Sequence, residues 1–530
     1  MKALFLIAAC VALFAAYAIG FAAPGFDVYH DDGIYLVTAK ALADGSGYKI
    51  ISLPEPIAQT RYPPMFPLAL AAVWKAFPRF PHNIYALKIV PFGFAVAWMW
   101  LAFVYLREKF GAAEPAVWIV ILSVASPWVL FSSVAFMSET TFAFFLTATL
   151  LVIDRMNRRS NVTWSKVLLA SALAACAILT RTAGLPLILA GSGAFFARKK
   201  ISAAVAYFFI VAALVSPWWI WSSRNGRAQA SVDAYYGGSI YANLSLLSTF
   251  AWSQRLHVMA INLANAIISP GVLMGVSLTS LGFLLCLILA AFVLYGFVLD
   301  LRNGITSLNL CVLLYEGMLL LWPWPSIRFQ GPLLPFLLYF AYLGVVELLA
   351  KTPEFRIPSR IGAALCAVLL IPSAGHALLL ETQATLRNGT ARFPLEEQKN
   401  WPATVAAMRW VSQNTVADAV FLGEDPTIFL MTGRRAIGLF SFDAFEFSYA
   451  PNREFPLGTP SQFITGLLQA KVDYAMYASD SRGTQSRLAR EQIEKAVSEH
   501  PAAFANVSGT NVPNYVIYSV NRRELEAETK

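Results

Sequence analysis

His30-Asp31-Asp32-Gly33-Ile34-Tyr35 places two adjacent carboxylates just after the first apolar segment of a chain that otherwise avoids charge. Carboxylates at the rim of a membrane are costly unless they are solvated, paired or used in chemistry. A stretch with helical character at 33–42 and an aromatic and proline run at 61–67 follow the pair. The pattern predicts a catalytic loop that lies against the outer face of a membrane.

The composition around that loop is typical of a polytopic membrane protein. Of the 530 residues, 57% are hydrophobic and 13% are charged, whereas soluble domains carry roughly 25% charged residues. The net charge of +9 comes mainly from short Lys and Arg clusters between apolar segments, and such clusters control topology. We therefore expect no nucleic-acid partner.

Eleven apolar segments are predicted to cross the roughly 30 Å hydrocarbon core, of which 140–154 and 185–197 are short for a span. With Lys2 inside, the basic clusters fall in the inside loops, as the positive-inside rule requires. The acidic pair, Glu139, the 222–270 loop and everything after about residue 381 are then outside. Residues 1–24 are also similar to a signal peptide, but the apolar run is long for one, so we expect it to remain as a span. The predicted spans are 3–22, 88–106, 115–135, 140–154, 167–183, 185–197, 201–221, 271–299, 306–323, 330–349 and 361–380.

Two domains are predicted. Residues 1–384 form a transmembrane module whose outer loop, 25–87, carries the acidic pair and two short helices (33–43 and 68–77). Residues 385–530 have the composition of a small soluble α/β domain. Its predicted helices are 401–412 and 485–498, and its predicted strands are 419–422, 472–477 and 515–520. The five cysteines stand singly in apolar segments, so neither a disulfide framework nor a thiolate metal site is expected.

Asp31 and Asp32 are the leading catalytic candidates. A general base that activates a hydroxyl must be a carboxylate or an imidazole within hydrogen-bond reach of it, and two neighbouring carboxylates can divide that task. The competing interpretation is that they cap the helix that begins near Gly33. His30 adds a polar group to the cavity and is interpreted as a structural neighbour, because no second histidine stands at metal-ligand spacing. Tyr62 directly precedes a pair of prolines, Pro63 and Pro64, that stiffens the next part of the loop.

Basic side chains on the outer side are candidates for binding a phosphate. Arg61 and Lys40 lie in the same loop, and Arg328 lies among aromatic residues at the outer end of a span; the alternative for each is an interfacial anchor. Glu139, in a short turn, either reaches the cavity or supplies negative charge to the start of a helix. Arg181, late in the fifth span, is expected to pair with an acidic group or a phosphate.

Several common signatures are absent from the sequence. It contains no Walker loop, no Gly-x-Gly-x-x-Gly after a strand, no His-Glu-x-x-His and no Gly-x-Ser-x-Gly. Nucleotide-driven transport and common hydrolases therefore lose support. An activated substrate on the outer side would have to arrive on a membrane carrier.

The order of the motifs resembles the GT-C superfamily of polyprenyl-phosphate-sugar-dependent glycosyltransferases. The similarity is greatest to bacterial members like the protein O-mannosyltransferases and the lipid A aminoarabinose transferases. The resemblance covers most of the membrane part. It rests on His30 to Tyr35 with Gly45 and Gly47-Tyr48, Tyr62-Pro63-Pro64, Met137-Ser138-Glu139-Thr140, Pro217-Trp218-Trp219, and Arg328-Phe329 with Pro332 and Pro335.

The resemblance implies a reaction and a location. Asp31 would be the base, with Asp32 at a position usually held by Asp or Glu, in an inverting transfer from a polyprenyl-phosphate sugar to a lipid or glycan hydroxyl. Arg61, Lys40 and Arg328 would bind the donor phosphate or membrane lipids, and His30, Tyr62 and Glu139 would line the acceptor cavity. The enzyme would act at the outer, periplasmic face of the bacterial cytoplasmic membrane.

Other functions remain open at the level of sequence. The protein could be a lipid-carrier transporter or a non-catalytic membrane protein whose acidic pair binds a proton or a cation, or a ligase that moves a whole oligosaccharide. We expect no required cofactor and metal-independent transfer, the alternative being Mg²⁺ or Mn²⁺ at the acidic pair.

Overall fold

A computed structural model describes residues 2–159, 161–226, 251–322, 324, 326–350, 359–391, 399–438, 460–479, 484–509 and 512–529. The central part of the predicted 222–270 loop, 227–250, lies outside these residues. Up to residue 391 the elements are α1 (Lys2–Ala22), α2 (Asp31–Ala43), β1 (Lys49–Ile50), β2 (Ile57–Ala58), α3 (Met65–Ala76), α4 (Ile84–Phe110), α5 (Ala113–Val124), α6 (Pro127–Val134), α7 (Glu139–Asn157), α8 (Trp164–Thr180), α9 (Pro186–Ala197), α10 (Ile201–Asn225), α11 (Trp252–Leu273), α12 (Ser280–Arg302), α13 (Ser307–Leu320), α14 (Leu334–Ala350) and α15 (Ser359–Asn388). Short 3₁₀ helices stand at Thr182–Gly184 and Ile327–Leu333.

The C-terminal part alternates helices and strands. Its elements are α16 (Trp401–Asn414), β3 (Val420–Gly423), α17 (Asp425–Thr432), β4 (Arg435–Gly438), α18 (Pro460–Gln469), β5 (Tyr474–Ala478), α19 (Thr484–Glu499), β6 (Phe504–Asn506), β7 (Tyr515–Val520) and α20 (Arg522–Thr529). The predicted helices and strands of this part are confirmed to within a few residues.

The chain divides into two compact units. Unit 1 comprises 1–20, 89–220 and 247–382, and unit 2 comprises 21–88, 221–246 and 383–530. Unit 2 therefore holds both the acidic loop and the C-terminal α/β part. The predicted domain boundary near residue 384 stays a prediction.

Apolar helices dominate the membrane part. Among the described residues, five helical segments are long and apolar enough to cross a membrane, and a bent pair makes a sixth. The five are α4, α10, α11, α12 and 327–349, and the pair is α5 with α6. Shorter apolar helices accompany them. The predicted total of eleven spans is not confirmed, and α11, which was expected within an outer loop, is itself long enough to span.

The predicted span 115–135 is broken in the structure. Its two halves, α5 and α6, meet at an angle of 66°. Pro127 occupies the first turn of α6, where a missing N–H is harmless. The same proline disfavours a helical conformation at Ser126, so the helix cannot run through that point. The Ser126 hydroxyl accepts a hydrogen bond from the Val129 N–H and begins the second helix.

A five-stranded sheet organises the C-terminal part of unit 2. Its strand order is β4-β3-β5-β7-β6, with β3 parallel to both β4 and β5 and β7 antiparallel to β5 and β6. Helix α16 packs on one face through residues such as Ala407 and Val411, which meet Phe421, Met476 and Ile517 of the strands. These apolar contacts between helix and sheet give the C-terminal part a hydrophobic core of its own.

Candidate active site around Asp31

The acidic pair stands in the first turn of α2, which begins at Asp31 rather than near Gly33. Negative charge is favoured there because the N-terminal end of a helix carries partial positive charge. The two non-glycine residues Asp27 and His30, just before the helix, have φ angles of 61° and 64°. Such left-handed backbone costs energy for residues with a Cβ, so the surrounding contacts must hold this loop in place.

Asp31 is held by a tyrosine from the other end of the loop. The Tyr62 hydroxyl donates to Asp31 Oδ1 at 2.5 Å, and Asp31 is only 8% exposed. Tyr62 is itself fixed, because its N–H donates to Gln59 Oε1 at 3.2 Å and its carbonyl accepts from the Tyr48 hydroxyl at 2.7 Å. The edge of Tyr35 packs against its ring. The structure thus brings together Asp31 and Tyr62, two of the predicted site residues.

Asp32 has a different environment from its neighbour. Its Oδ2 accepts from the Val28 N–H at 3.1 Å and its Oδ1 from the Tyr29 N–H at 2.9 Å. Burial raises the pKa of Asp32 to about 6, with a further contribution from the Asp27 carboxylate, although the two amides and Lys399 act in the opposite direction. Asp32 therefore holds the backbone that precedes α2 and does not cap the helix itself. Its assignment as a catalytic residue stays a prediction.

His30 lies between two carboxylates. Its Nδ1 is 3.8 Å from Asp27 Oδ1 and its Nε2 is 3.7 Å from Asp425 Oδ1. Both distances exceed a hydrogen bond, and the two carboxylates place negative charge on either side of the ring. Across the described ranges, no group of three or more His, Cys, Asp or Glu side chains is arranged to hold a metal ion. The expected metal independence stays a prediction.

The two basic residues predicted in this loop have different settings. The Arg61 guanidinium is 5.8 Å from the centroid of the Tyr62 ring, and Tyr62 in turn contacts Asp31. Lys40 donates to Asp44 Oδ2 at 2.6 Å. It also lies nine residues along α2 from Asp31, about 13 Å by helix rise. Both phosphate-binding assignments stay predictions.

Sequence reasoning missed a set of C-terminal residues that hold the acidic loop. Asp425 is fully buried, and its Oδ2 accepts from the Ser52 hydroxyl at 3.2 Å. Thr427 and Lys399 contact Asp27. One signal was present in the sequence: the acidic residues 424 and 425 directly follow a strand, and polar groups at the carboxyl end of a parallel strand commonly form sites.

Glu139 and Arg328 lie in unit 1. Arg181 Nη1 is 2.8 Å from Glu139 Oε1 and donates to the Ser138 hydroxyl at 3.0 Å, so the predicted pairing of Arg181 with an acidic group is confirmed. The guanidinium groups of Arg181 and Arg328 lie 4.8 Å and 5.2 Å from the ring centroid of Phe329. Glu139 begins α7, as its alternative role requires. The assignments of Glu139 to the cavity and Arg328 to the donor phosphate stay predictions.

Comparison with known proteins gives matches by structure only. No protein-family model matches the sequence, and no curated protein matches it. Among solved structures, ArnT from Cupriavidus metallidurans in the apo state is 14% identical, with a TM-score of 0.51 over 99% of this chain and 98% of that chain. ArnT bound to undecaprenyl phosphate matches with the same identity and TM-score over 98% of each chain.

An archaeal structure gives a similar match. The oligosaccharyltransferase AglB from Archaeoglobus fulgidus, in complex with an inhibitory peptide and a dolichol-phosphate, is 13% identical with a TM-score of 0.52, over 97% of this chain and 74% of that chain. Identities this low establish the fold and not the activity. The chain has the GT-C fold, and the predicted fold class, a helical membrane protein with a C-terminal α/β part, is confirmed.

Proposed function

We propose that this chain, with its GT-C fold, is an inverting glycosyltransferase. It moves a sugar from a polyprenyl-phosphate donor to a hydroxyl of a lipid or glycan acceptor at the outer face of the bacterial cytoplasmic membrane. The observation that carries the proposal is the nearly buried Asp31 carboxylate, oriented by the Tyr62 hydroxyl at 2.5 Å. A general base needs this combination of a carboxylate and a fixed direction.

The chemistry follows from that geometry. Asp31 accepts the proton of the acceptor hydroxyl while the hydroxyl oxygen attacks the anomeric carbon. The bond between that carbon and the phosphate oxygen breaks, the polyprenyl phosphate leaves with the bonding electrons, and the configuration at the anomeric carbon inverts. The Tyr62 hydroxyl orients the Asp31 carboxylate. Asp32 holds the backbone of residues 28 and 29 through the two hydrogen bonds that it accepts.

Stabilisation of the leaving phosphate is the largest electrostatic requirement of this reaction. Among the predicted phosphate ligands, Arg61 lies beside Tyr62, the residue that donates a hydrogen bond to Asp31. A guanidinium presents its donors in a fork that matches phosphate oxygens. The ligands named for the structural neighbours, undecaprenyl phosphate for ArnT and dolichol-phosphate for AglB, support a lipid-phosphate donor of this class.

The test is transfer from a panel of radiolabelled polyprenyl-phosphate sugars into membrane extracts. Asp31→Asn should lower the turnover rate by about 10²–10⁴-fold, the usual contribution of a general base, while the protein still folds. Asp418→Asn, at an exposed aspartate of unit 2, is the matched control and should keep full turnover.

Two results would count against the proposal. Undiminished transfer by a folded Asp31→Asn protein would remove Asp31 as the base. Absence of transfer from every donor, with folded protein and a suitable acceptor source, would favour a lipid-carrier transporter, which moves an unchanged substrate.

A further inference from the structure

We propose that the C-terminal α/β part positions the Asp31 loop, and that Lys399 is the positioning residue that connects the two. The inference rests on the proposed role of Asp31 as the base. It gives the C-terminal part a positioning role and identifies Lys399, which belongs to none of the motifs found in the sequence. All the groups involved belong to unit 2.

The ammonium group of Lys399 is buried and has partners both in the C-terminal α/β part and in the loop before α2. Its side chain is 9% exposed and its Nζ is 2.7 Å from Glu424 Oε2. The Nζ also donates to the Thr427 hydroxyl at 2.8 Å and lies 3.5 Å from Asp27 Oδ2. A buried charge is retained only when it is paired and hydrogen-bonded, and two of these partners are C-terminal while the third precedes α2.

Asp27 is the member of this connection that stands nearest to Asp31 in the sequence. Besides Lys399, Asp27 Oδ2 accepts from the Thr427 hydroxyl at 2.6 Å. Asp27 and His30 hold left-handed backbone conformations, which persist only where the surroundings impose them. Since Asp31 follows His30 directly, the side chains that fix residues 27–30 also fix the direction of the Asp31 carboxylate.

The first turn of α2 is packed closely against the first turn of α17. A Cβ at Gly33 would lie 2.5 Å from Asp27 Oδ1 and 2.6 Å from Pro426 Cβ. Contacts this short leave room only for glycine. The polar connection through Lys399 is therefore accompanied by a steric one that involves the same two segments.

The topology of the sheet explains why the carboxyl end of β3 is suited to a positioning role. Strand β3 is parallel to β4 on one side and to β5 on the other, and open α/β sheets usually bind ligands at the carboxyl ends of such strands. Here the residues after β3 face the chain's own loop instead. Asp425 accepts from Ser52 of that loop, and Glu424 holds Lys399, which contacts Asp27. The Ser52 carbonyl in turn accepts from the Ala436 N–H of β4 at 2.9 Å.

The experiment compares Lys399→Met, which keeps the buried stem and removes the charge, with Lys495→Met. The Lys495 ammonium is exposed and pairs with Glu499 of the same helix, α19. Two quantities are measured: the kinetic constants of transfer, and hydrogen exchange of peptides covering 25–35 and 401–423. We expect Lys399→Met to lower kcat about 10-fold, to leave the donor KM within about 2-fold, and to speed exchange in 25–35 only. Lys495→Met should match the native protein in both measurements.

Each outcome has a defined meaning. Unchanged exchange in 25–35 overturns the positioning role, and so does faster exchange that extends through 401–423, because the lysine would then support the whole α/β part. Faster exchange in 25–35 with unchanged kcat overturns the link to catalysis. If Lys399→Met does not fold, Thr427→Val removes one donor to Asp27 and is held to the same criteria. Exchange is measured without turnover, so failure of the proposed glycosyltransferase activity would be recognised separately.

Discussion

Substitution of Gly33 by alanine should destabilise the protein, although alanine is the better helix former. Gly33 lies inside α2, where replacing glycine by alanine normally contributes about 0.5–1 kcal/mol of stability. The new Cβ would lie 2.5 Å from Asp27 Oδ1 and 2.6 Å from Pro426 Cβ. Neither neighbour can retreat easily, because the Asp27 carboxylate accepts from Thr427 at 2.6 Å and the Pro426 atom belongs to a ring.

The expected magnitude combines these two effects. Overpacking costs about 1–3 kcal/mol, which exceeds the gain in helix propensity and leaves a net loss of about 1 kcal/mol. For a unit of this size, that loss corresponds to a fall of about 2–4 °C in the unfolding midpoint. Transfer should fall as well, since the displaced turn carries Asp31.

Gly93→Ala is the control for this measurement. Gly93 is also helical, in α4, and a Cβ there would meet nothing within 4 Å, so this variant should unfold at the same or a higher temperature. Both midpoints are taken by thermal unfolding in one detergent at one scan rate. A Gly33→Ala protein as stable as the native one would refute the close packing between the first turns of α2 and α17.

Four further predictions concern the acidic pair, the buried ion pair of unit 1 and metal dependence. Burial raises the pKa of Asp32 from 3.8 to about 6, so its contribution to stability is complete below about pH 4 and is lost as the pH rises through about 6. The stability of Asp32→Asn relative to the native protein should therefore improve by about 2 kcal/mol between pH 4 and pH 7, and parallel pH curves would contradict this. Tyr62→Phe should lower kcat at least about 10-fold, because a hydrogen bond to a charged group contributes about 1.5–3 kcal/mol; an unchanged kcat would show that Tyr62 does not orient Asp31. Glu139→Gln should cost about 3–5 kcal/mol by removing the carboxylate beside Arg181, and adding Arg181→Met should recover part of that loss in the same thermal assay. Chelation by EDTA should leave transfer unchanged, whereas a loss restored by added Mg²⁺ or Mn²⁺ would overturn metal independence.

Local patterns were sufficient to predict most elements of the fold. Apolar runs marked the membrane helices, and the alternation of strand and helix signals after residue 400 predicted the α/β part. The broken span shows the limit of hydropathy alone, because the run 115–135 is mainly apolar and carries no charge while Pro127 divides it. Similarly, 252–270 was assigned to the outer loop 222–270, whereas α11 extends from Trp252 to Leu273 and is long and apolar enough to span.

The site was predictable only where its residues lie near one another in the sequence. Asp31 and Tyr62 stand 31 positions apart in one loop, and both were identified as site residues. Thr427 contacts Asp27 although the two residues are 400 positions apart in the sequence. No local sequence pattern around either residue predicts that contact. Lys399 was equally inaccessible, since a single lysine before a helix is ordinary until its burial and its carboxylate partners are known.

The long separation between the acidic loop and its supports has a consequence for biosynthesis. The contact between Lys399 and Asp27 joins positions 372 residues apart, and at about 5–20 residues per second a ribosome needs roughly 20–75 s to make the intervening chain. During that time the nascent loop already exists but lacks the side chains that hold it. For the proposed reaction, full activity is therefore expected only after the helices up to α15 and the residues from Lys399 to Thr427 have been synthesised.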